Sequence, residues 1–437
     1  MKPTGAEPAL ARRDLHGSVG DPVLDTMNFL NEVTSRYPAA ISFAPGRPYD
    51  GFFDIEQIFG HMRRYLGYLA DTGNSAAQIR DALFQYGPTA GRIRELICGW
   101  LRADEDIDVP PESIVVTVGC QEAMFLAVRA LIAGPSDVLV VSSPCYVGIT
   151  GAARLIDADV VAVQEREHGL DCADLEAALL AARAGGRRPR ACYVLPDHAN
   201  PSGNTMPLAA RHDLLDLAAS QDVLILEDSP YRLVSAGTRI PTLKSLDRAH
   251  RVVHLGSFSK SGFPGARLGF AVADQPVTGP AGRTGLLADE LSKIKSMITV
   301  NTSPLSQAAI GGLLIAAGGR LSEVTRRVAA FYDGSMRATL AQLDRCFPAA
   351  SREAAGVGWN RPSGGFFLTV RVPFRADNAA LARSAQDFGV IWTPMSYFYP
   401  LGGGEYSIRL SISYLSEADI AAGISRLAGF IRAQASA

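Results

Sequence analysis

The sequence lacks the features that mark membrane proteins, secreted proteins and proteins that bind nucleic acid. No apolar run approaches the ~20 residues that a membrane-spanning helix needs. Residues 1–16 contain no apolar segment of the kind found in signal peptides. Lys and Arg number 42 against 44 Asp and Glu, and this net charge of -2 gives no reason to expect a nucleic-acid partner. We therefore expect a cytoplasmic protein without membrane or nucleic-acid partners.

Cysteine is sparse and widely spaced. There is no CxxC pair and no Cys/His spacing typical of a zinc site. The sequence therefore predicts free, buried or half-buried thiols and no bound metal. The six cysteines are Cys98, Cys120, Cys145, Cys172, Cys192 and Cys346.

The middle of the chain alternates short apolar runs with segments of helical spacing. Such alternation predicts a buried, mostly parallel sheet with helices packed on it. Ligands of these sheets bind at the carboxyl ends of the strands. The strand candidates are residues 114–118, 138–141, 160–163, 191–195, 223–227 and 252–255, and helix candidates are 121–133, 175–184 and 208–220.

The two ends of the chain differ from this pattern. Residues before 41 are polar and mixed and predict an arm, and residues 41–53 predict a loop because of their Pro and Gly content. After about residue 330, a helix at 326–343, strands at 366–372 and 407–412 and a helix at 416–432 predict a smaller α+β domain.

The strongest chemical signal is Lys260, which follows the apolar strand 252–255 closely. A lysine held beside a buried strand loses solvation, and this favours its neutral, nucleophilic form. Ser257, Ser259 and Arg267 in the same segment could donate hydrogen bonds to a phosphate. The alternative interpretation is a solvated loop with an incidental lysine.

Two further polar residues come directly after predicted strands. Asn200, in Asn-Pro-Ser-Gly, could donate to an oxygen of a bound ring, although by itself the segment indicates only a turn. Asp228 ends a strand and would face the ligand crevice, where it could keep a pyridine nitrogen protonated. The alternative for Asp228 is a helix-cap or turn residue.

Three more positions fit the same crevice. Gly119 stands at a strand-to-helix junction, where backbone N–H groups can bind a phosphate. Tyr146 follows the next strand and could stack on a planar ligand, or it could be a half-buried core aromatic. Arg409 lies within a β-like run, where it could pair with a carboxylate or face solvent from an edge strand.

Together these segments resemble the class I/II aminotransferases, which are fold-type I enzymes that depend on pyridoxal phosphate. The resemblance runs in the family's order from Gln85-Tyr86-Gly87 to Arg409. It implies an α/β fold with a large domain built on a mostly parallel seven-stranded sheet, and a small α+β C-terminal domain. The implied divisions are 1–75 (N-terminal arm and part of the small domain), 76–325 (large cofactor-binding domain) and 326–437 (small domain).

The resemblance also implies roles for single residues. Lys260 resembles the lysine that bonds to the cofactor and acts in catalysis. Asp228 resembles the residue that pairs with the pyridine nitrogen. Asn200 and Tyr231 resemble the two residues that bind the ring hydroxyl, and Tyr146 resembles the aromatic residue that stacks on the ring. The positions that match phosphate-binding residues are Gly119, Cys120, Gln121, Ser257, Ser259 and Arg267.

Two implied roles concern the partner subunit and the substrate. Tyr86 resembles the tyrosine that reaches the phosphate in the neighbouring subunit, which implies a homodimer with shared active sites. Arg409, with Asn200, resembles the group that holds the substrate carboxylate. Cys120, where serine or alanine is more usual, and the segment Ser261-Gly262-Phe263 depart from the common family pattern.

Two segments indicate which class of substrate the protein uses. Residues 46–53 and 86–91 resemble aminotransferases of peptide-antibiotic pathways that make hydroxyphenylglycine and dihydroxyphenylglycine, with tyrosine as the usual donor. No second arginine could be assigned to a dicarboxylate side chain. The alternatives are 2-aminoadipate or another amino acid as substrate, a lyase, decarboxylase or oxidase of the same fold, and a cofactor-sensing regulator domain.

Overall fold

The structure, a computed structural model, describes residues 10–279, 282 and 284–435. The helices are α1 (Pro22–Arg36), α2 (Ile55–Asp71), α3 (Ala76–Phe84), α4 (Arg94–Glu105), α5 (Gly119–Leu131), α6 (Val147–Arg154), α7 (Cys172–Ala184), α8 (Leu208–Ser220), α9 (Leu243–Leu246), α10 (Leu287–Ser296), α11 (Pro304–Ala316), α12 (Leu321–Cys346), α13 (Ala349–Arg352), α14 (Asn378–Asp387) and α15 (Glu417–Ala435). The strands are β1 (Ile41–Ser42), β2 (Ile114–Thr117), β3 (Asp137–Ser143), β4 (Asp159–Arg166), β5 (Gly169–Leu170), β6 (Arg188–Val194), β7 (Leu224–Asp228), β8 (Val252–Ser257), β9 (Gly269–Val272), β10 (Pro276–Thr278), β11 (Thr284–Leu286), β12 (Gly358–Trp359), β13 (Phe367–Arg371), β14 (Val390–Ile391), β15 (Thr393–Pro394) and β16 (Ser407–Ser411).

The largest sheet has the strand order β2-β9-β8-β7-β6-β3-β4-β5. The run from β8 to β4 is parallel throughout. β9 is antiparallel to both of its neighbours, and the two-residue β5 is antiparallel to β4 at the edge. The predicted mostly parallel sheet is therefore confirmed; its seven longer strands match the predicted number, and β5 adds a short eighth.

Helices cover both faces of this sheet because its central strands are apolar on both sides. In β3, Leu139 and Val141 pack into one buried cluster and Val140 into another, since successive side chains of a strand point to opposite faces. The first cluster contains Leu126 of α5, and the second contains Leu175 of α7. Burial of β-branched residues on two faces is typical of parallel sheets.

A second, antiparallel sheet has the order β12-β13-β16-β15 and packs against α12 and α15. Residues near the N-terminus join this core: β1 pairs with β14, and Val33 and Phe43 are buried there. Both ends of the chain thus contribute to one hydrophobic core. The domain divisions at residues 75 and 325 stay predictions.

The structure corrects the sequence analysis at three places. Residues 41–53 were predicted as a loop, which is confirmed for 43–49, whereas residues 41–42 form β1, which is too short to show a periodic pattern. The predicted N-terminal arm contains α1. β9 was missed because its four residues begin with glycine and directly follow the lysine segment. Within the described residues, no helix is both long enough and apolar enough to cross a membrane.

Candidate active site

The predicted site residues meet at one edge of the large sheet. Gly119, Tyr146, Asn200, Asp228 and Lys260 lie at or just after the carboxyl ends of β2, β3, β6, β7 and β8. β3 and β6 are neighbours, although β4 and β5 lie between them in the chain. At such a reversal of strand order the connections leave in opposite directions and open a crevice, which is where ligands bind in this type of sheet.

Lys260 differs from the other lysines of the described chain in its partners. Lys244, Lys293 and Lys295 each lie within 4.0 Å of a carboxylate. The Lys260 ammonium donates instead to the main-chain carbonyl of Gly46, at 2.6 Å. A lysine without a counter-ion in a crevice is available for chemistry.

The charge state of Lys260 follows from its surroundings. Burial is the main reason that its pKa falls from 10.5 to about 8, and the positive charges of Arg267 and Arg409 lower it further. Asp228 opposes this shift. The neutral, nucleophilic amine therefore becomes the major form above about pH 8, well below the pH at which an ordinary lysine loses its proton.

Asp228 is buried at the end of β7, with 2% of its surface exposed. One carboxylate oxygen accepts from the Tyr193 hydroxyl at 2.7 Å, and the other accepts from the Cys120 thiol at 3.4 Å. Burial raises the pKa of Asp228 to about 6, whereas the two donors favour the ionised form. No lysine or arginine of the described chain pairs with it, so a cationic group on a ligand would be its natural partner.

Arg409 is equally buried, in the central strand β16, with 3% of its surface exposed. Its guanidinium donates to Asn200 Oδ1 at 2.8 Å, to the Ala44 carbonyl at 2.5 Å and to Thr393 Oγ1 at 3.3 Å. Its Nε has no partner among the described residues. The burial excludes the solvent-facing edge-strand arginine that the sequence had left open.

Other buried arginines are paired with acids. Arg211 and Arg232 both form ion pairs with Asp197, and Arg232 also pairs with Glu105. Arg409, in contrast, forms no ion pair with a carboxylate of the described chain. Burial lowers the pKa of Arg409 to about 10. Because burying an unpaired charge is costly, this guanidinium is suited to a carboxylate supplied by a ligand.

Aromatic rings line the space around the two cations. The rings of Phe367 and Phe398 lie 4.5 and 4.8 Å from the Arg409 guanidinium. Those of Phe366 and Tyr231 lie 5.8 and 6.0 Å from the Lys260 ammonium. The two cations are therefore surrounded by buried aromatic rings, and the charged groups among them are few.

The ring-binding candidates are also brought together. Tyr231 is buried and hydrogen-bonds with Asn200, and Tyr146 donates to Gln121 Oε1 at 3.4 Å. Burial raises the pKa of both tyrosines, so both remain neutral donors at physiological pH. Sequence analysis missed Tyr193, since an aromatic inside a strand gives no signal beyond core packing.

The phosphate-binding candidates form a tight cradle at the start of α5. Gly119 has φ +73°, and a Cβ there would lie 2.6 Å from Nη2 of Arg267, so only glycine fits. The Ser259 N–H donates to Ser257 Oγ at 3.2 Å. The free N–H groups of a helix N-terminus, two hydroxyls and a guanidinium that pairs with no carboxylate of the described chain make a donor set suited to a phosphate.

Tyr86 lies apart from this group. It follows α3, is 81% exposed and has no hydrogen bond to another predicted site residue within the described chain.

The charges of the crevice do not balance. Arg267 and Arg409 both act on Lys260, and the one carboxylate of the described chain that acts on it is Asp228. Two anionic groups, one beside Arg267 and one beside Arg409, would balance this charge. The chain also matches the family model "Aminotransferase class I and II" over residues 69–427. The chain belongs to the class I and II aminotransferases.

Similar proteins agree with this membership. The (S)-3,5-dihydroxyphenylglycine transaminase of Amycolatopsis orientalis is 47% identical over 99% of this chain and 97% of its own. The α-aminoadipate aminotransferase of Thermus thermophilus, solved with N-(5'-phosphopyridoxyl)-L-leucine, has a TM-score of 0.78, 30% identity and coverage of 97% and 98%. The kynurenine aminotransferase of Pyrococcus horikoshii, solved with PMP, has a TM-score of 0.79, 27% identity and coverage of 96% and 97%.

The predicted family, fold-type I architecture, enzyme class and cofactor are thereby confirmed. This aminotransferase uses pyridoxal phosphate and acts on amino acids and 2-oxo acids. The geometry of the crevice also fits the cofactor. The cradle at Gly119 suits the phosphate. Within the described chain, Asp228 has no lysine or arginine partner and Lys260 has no carboxylate partner.

Proposed function

We propose that this aminotransferase moves the amino group of an aromatic amino acid, with tyrosine as donor, to an arylglyoxylate. The product would be hydroxyphenylglycine or dihydroxyphenylglycine for a peptide antibiotic. The observation that carries this proposal is the 47% identity, over 99% of the chain, to an enzyme named for (S)-3,5-dihydroxyphenylglycine.

The charges in the crevice support an aromatic substrate over a dicarboxylate. Arg267 lies against Gly119 in the phosphate cradle, and Arg409 lies beside Asn200, where the α-carboxylate would bind. These are the two arginines whose charges act on Lys260. Neither is left for a side-chain carboxylate, and the rings packed beside the two cations, those of Phe366 and Phe367, make their surroundings apolar.

We propose the roles of single residues from the family resemblance, and the geometry described above supports them. When bound, pyridoxal phosphate supplies an electron-withdrawing ring that stabilises negative charge on the substrate Cα. Lys260 would bond to the cofactor and, once released, its neutral amine would take the proton from the substrate Cα and deliver it to C4′ of the cofactor. Arg409 and Asn200 orient the substrate through its carboxylate. Asp228 would hold the ring nitrogen in its protonated form.

The remaining residues would hold the cofactor. Tyr231 and Asn200 bind the ring hydroxyl, and Tyr146 stacks on the ring. Phosphate contacts would come from Gly119, Cys120, Gln121, Ser257, Ser259 and Arg267. The predicted cytoplasmic location remains a prediction.

The proposed donor can be tested in a half-reaction. Tyrosine added without an acceptor should abolish the visible absorbance of the bound cofactor and yield one equivalent of 4-hydroxyphenylpyruvate per site. The amino form should then convert hydroxyphenylglyoxylate stoichiometrically to hydroxyphenylglycine. If tyrosine leaves the spectrum unchanged while 2-aminoadipate alters it, the aromatic assignment is wrong.

We also propose a homodimer in which Tyr86 reaches the partner's phosphate. Exposed apolar side chains cluster on three helices that contact one another, with Ile55 and Phe59 on α2, Phe84 on α3 and Leu305 on α11. Tyr86 directly follows this patch. Exposed apolar patches of this kind are typical of protein interfaces.

Tyr86→Phe should weaken cofactor binding by roughly tenfold. This loss corresponds to about 1.5 kcal/mol, the contribution of a hydrogen bond to a charged group. Equilibrium dialysis of the cofactor and sedimentation of the protein would measure binding and assembly. Tyr406→Phe, also exposed, should change neither. A monomeric enzyme, or unchanged affinity in Tyr86→Phe, would contradict the shared site.

A further inference from the structure

We propose that Glu165 is a positioning residue that holds the loop 197–204 in place, and through it the substrate-carboxylate site at Arg409. The inference rests on the role proposed above for Arg409. Glu165 lies near the end of β4, outside the set of residues that contact cofactor or substrate in that proposal.

The loop carries Asn200 and is fixed at its beginning by charge. Asp197 forms buried ion pairs with Arg211 at 2.6 Å and with Arg232 at 2.8 Å. These pairs hold the loop from the side of α8. They leave the segment that follows Asn200 to be held by other contacts.

Glu165 supplies one of those contacts. Its Oε1 accepts from the Ser202 hydroxyl at 2.9 Å, and the same hydroxyl accepts from the Asn204 N–H at 3.3 Å. The side-chain amide of Asn204 also donates to the main-chain carbonyl of Arg166, which is next to Glu165 in the chain, at 3.2 Å. The end of β4 therefore holds the loop at two neighbouring positions.

The other side of the loop contacts the sheet that carries Arg409. The Ser202 carbonyl accepts from the Asn360 side chain, whose oxygen accepts from the Thr369 N–H at 2.8 Å. Thr369 is the register partner of Arg409 in β13 and β16. Ser202 thus joins Glu165 in one sheet to Arg409 in the other, while Asn200 Oδ1 contacts the guanidinium directly at 2.8 Å.

The packing at this junction leaves little freedom. Gly203 has φ +76°, and a Cβ there would lie 2.4 Å from the Phe367 carbonyl. The Phe367 ring in turn lies under the Arg409 guanidinium. A small shift of Ser202 would therefore be passed to Asn200 and to Arg409, and small misplacements of a substrate-orienting group are costly.

Glu165 can hold the loop in either charge state. It has no cationic partner among the described side chains, and the groups that face it are Ser202, Asn204, Cys145 and Tyr399. Burial raises its pKa to about 7. Both the ionised and the neutral carboxyl keep an oxygen that accepts from Ser202, and a glutamine would keep one as well.

The test compares the apparent KM and kcat of the holoenzyme and its variants. The substrate is the amino acid that abolishes the visible absorbance of the bound cofactor in the half-reaction. Glu165→Ala should raise KM about tenfold, as expected for the loss of a part-buried hydrogen bond to a carboxyl group, and leave kcat within about threefold. Glu165→Gln should restore KM to within about threefold of the wild type. Glu167→Ala, an exposed acid two positions further on, is the matched control and should change neither constant.

Ser202→Ala tests the same link from the loop side if Glu165→Ala does not fold. The double variant should raise KM no more than Ser202→Ala alone, because the hydrogen bond between Glu165 and Ser202 is already lost in that single variant. An unchanged KM in Glu165→Ala or Ser202→Ala would overturn the proposal, as would equal defects in Glu165→Ala and Glu165→Gln. If these variants have no effect but Arg409→Lys raises KM, only the positioning role fails; if Arg409→Lys also has no effect, the proposed substrate site fails.

Discussion

Lys260→Ala is expected to lower kcat/KM for transamination by at least about a thousandfold, which is in the middle of the range for the loss of a general base. The variant loses the only lysine of the described chain that is not paired with a carboxylate, and with it the neutral amine beside the crevice. Asp228, Arg267 and Arg409 remain, so the cofactor should still bind without a covalent bond. Stopped-flow absorbance during the half-reaction would measure the loss.

Two further measurements make this prediction specific. Lys293→Ala removes an exposed lysine that pairs with Glu290 and should leave the rate within about twofold, as is usual for surface substitutions. A small primary amine in solution should restore part of the rate of Lys260→Ala, because it replaces the missing base. Near-normal turnover by Lys260→Ala would refute the assignment.

Arg409→Lys should reduce kcat/KM by about 30- to 150-fold, which corresponds to about 2–3 kcal/mol for disturbing a buried, hydrogen-bonded charge pair. Lysine keeps the positive charge but cannot contact Asn200, Ala44 and a carboxylate together as the planar guanidinium can. The loss should fall mainly on KM, because the carboxylate is bound before and during proton transfer.

Tyramine, which is tyrosine without its carboxylate, isolates this contact. The wild type should bind tyrosine far more tightly than tyramine, and Arg409→Lys should remove most of that preference while leaving tyramine binding unchanged. Arg371→Lys, an exposed arginine on the neighbouring strand β13, is the control and should keep the preference. An undiminished preference in Arg409→Lys would place the carboxylate elsewhere.

Most of the candidate site was predictable because each of its parts is marked by residues that are close together in the chain. Gly119, Asn200, Asp228 and Lys260 each come at or directly after an apolar strand, and parallel strands bring their carboxyl ends to one edge. The order of these motifs along the chain predicts the family. The family model and the relatives confirm that prediction.

The contacts that set the properties of those residues were not predictable. Lys260 donates to Gly46, which is 214 positions away, and Arg409 to Ala44, which is 365 positions away. Ala44 and Gly46 lie in the predicted loop 41–53, but the prediction gave no indication that this loop contacts the two cations. Pro and Gly content describes only local conformation and carries no signal for such distant partners.

The strand pattern, the edge at which ligands bind and the residue types placed there all follow from the amino-acid order, because they depend on neighbours along the chain. Three other features emerged only once the chain was folded. Arg409 is buried without an acid of the described chain beside it, Asp228 contacts Tyr193 and Cys120, and Glu165 holds the Asn200 loop. These features depend on the packing of distant segments, since burial and the absence of a counter-ion are properties of the assembled fold.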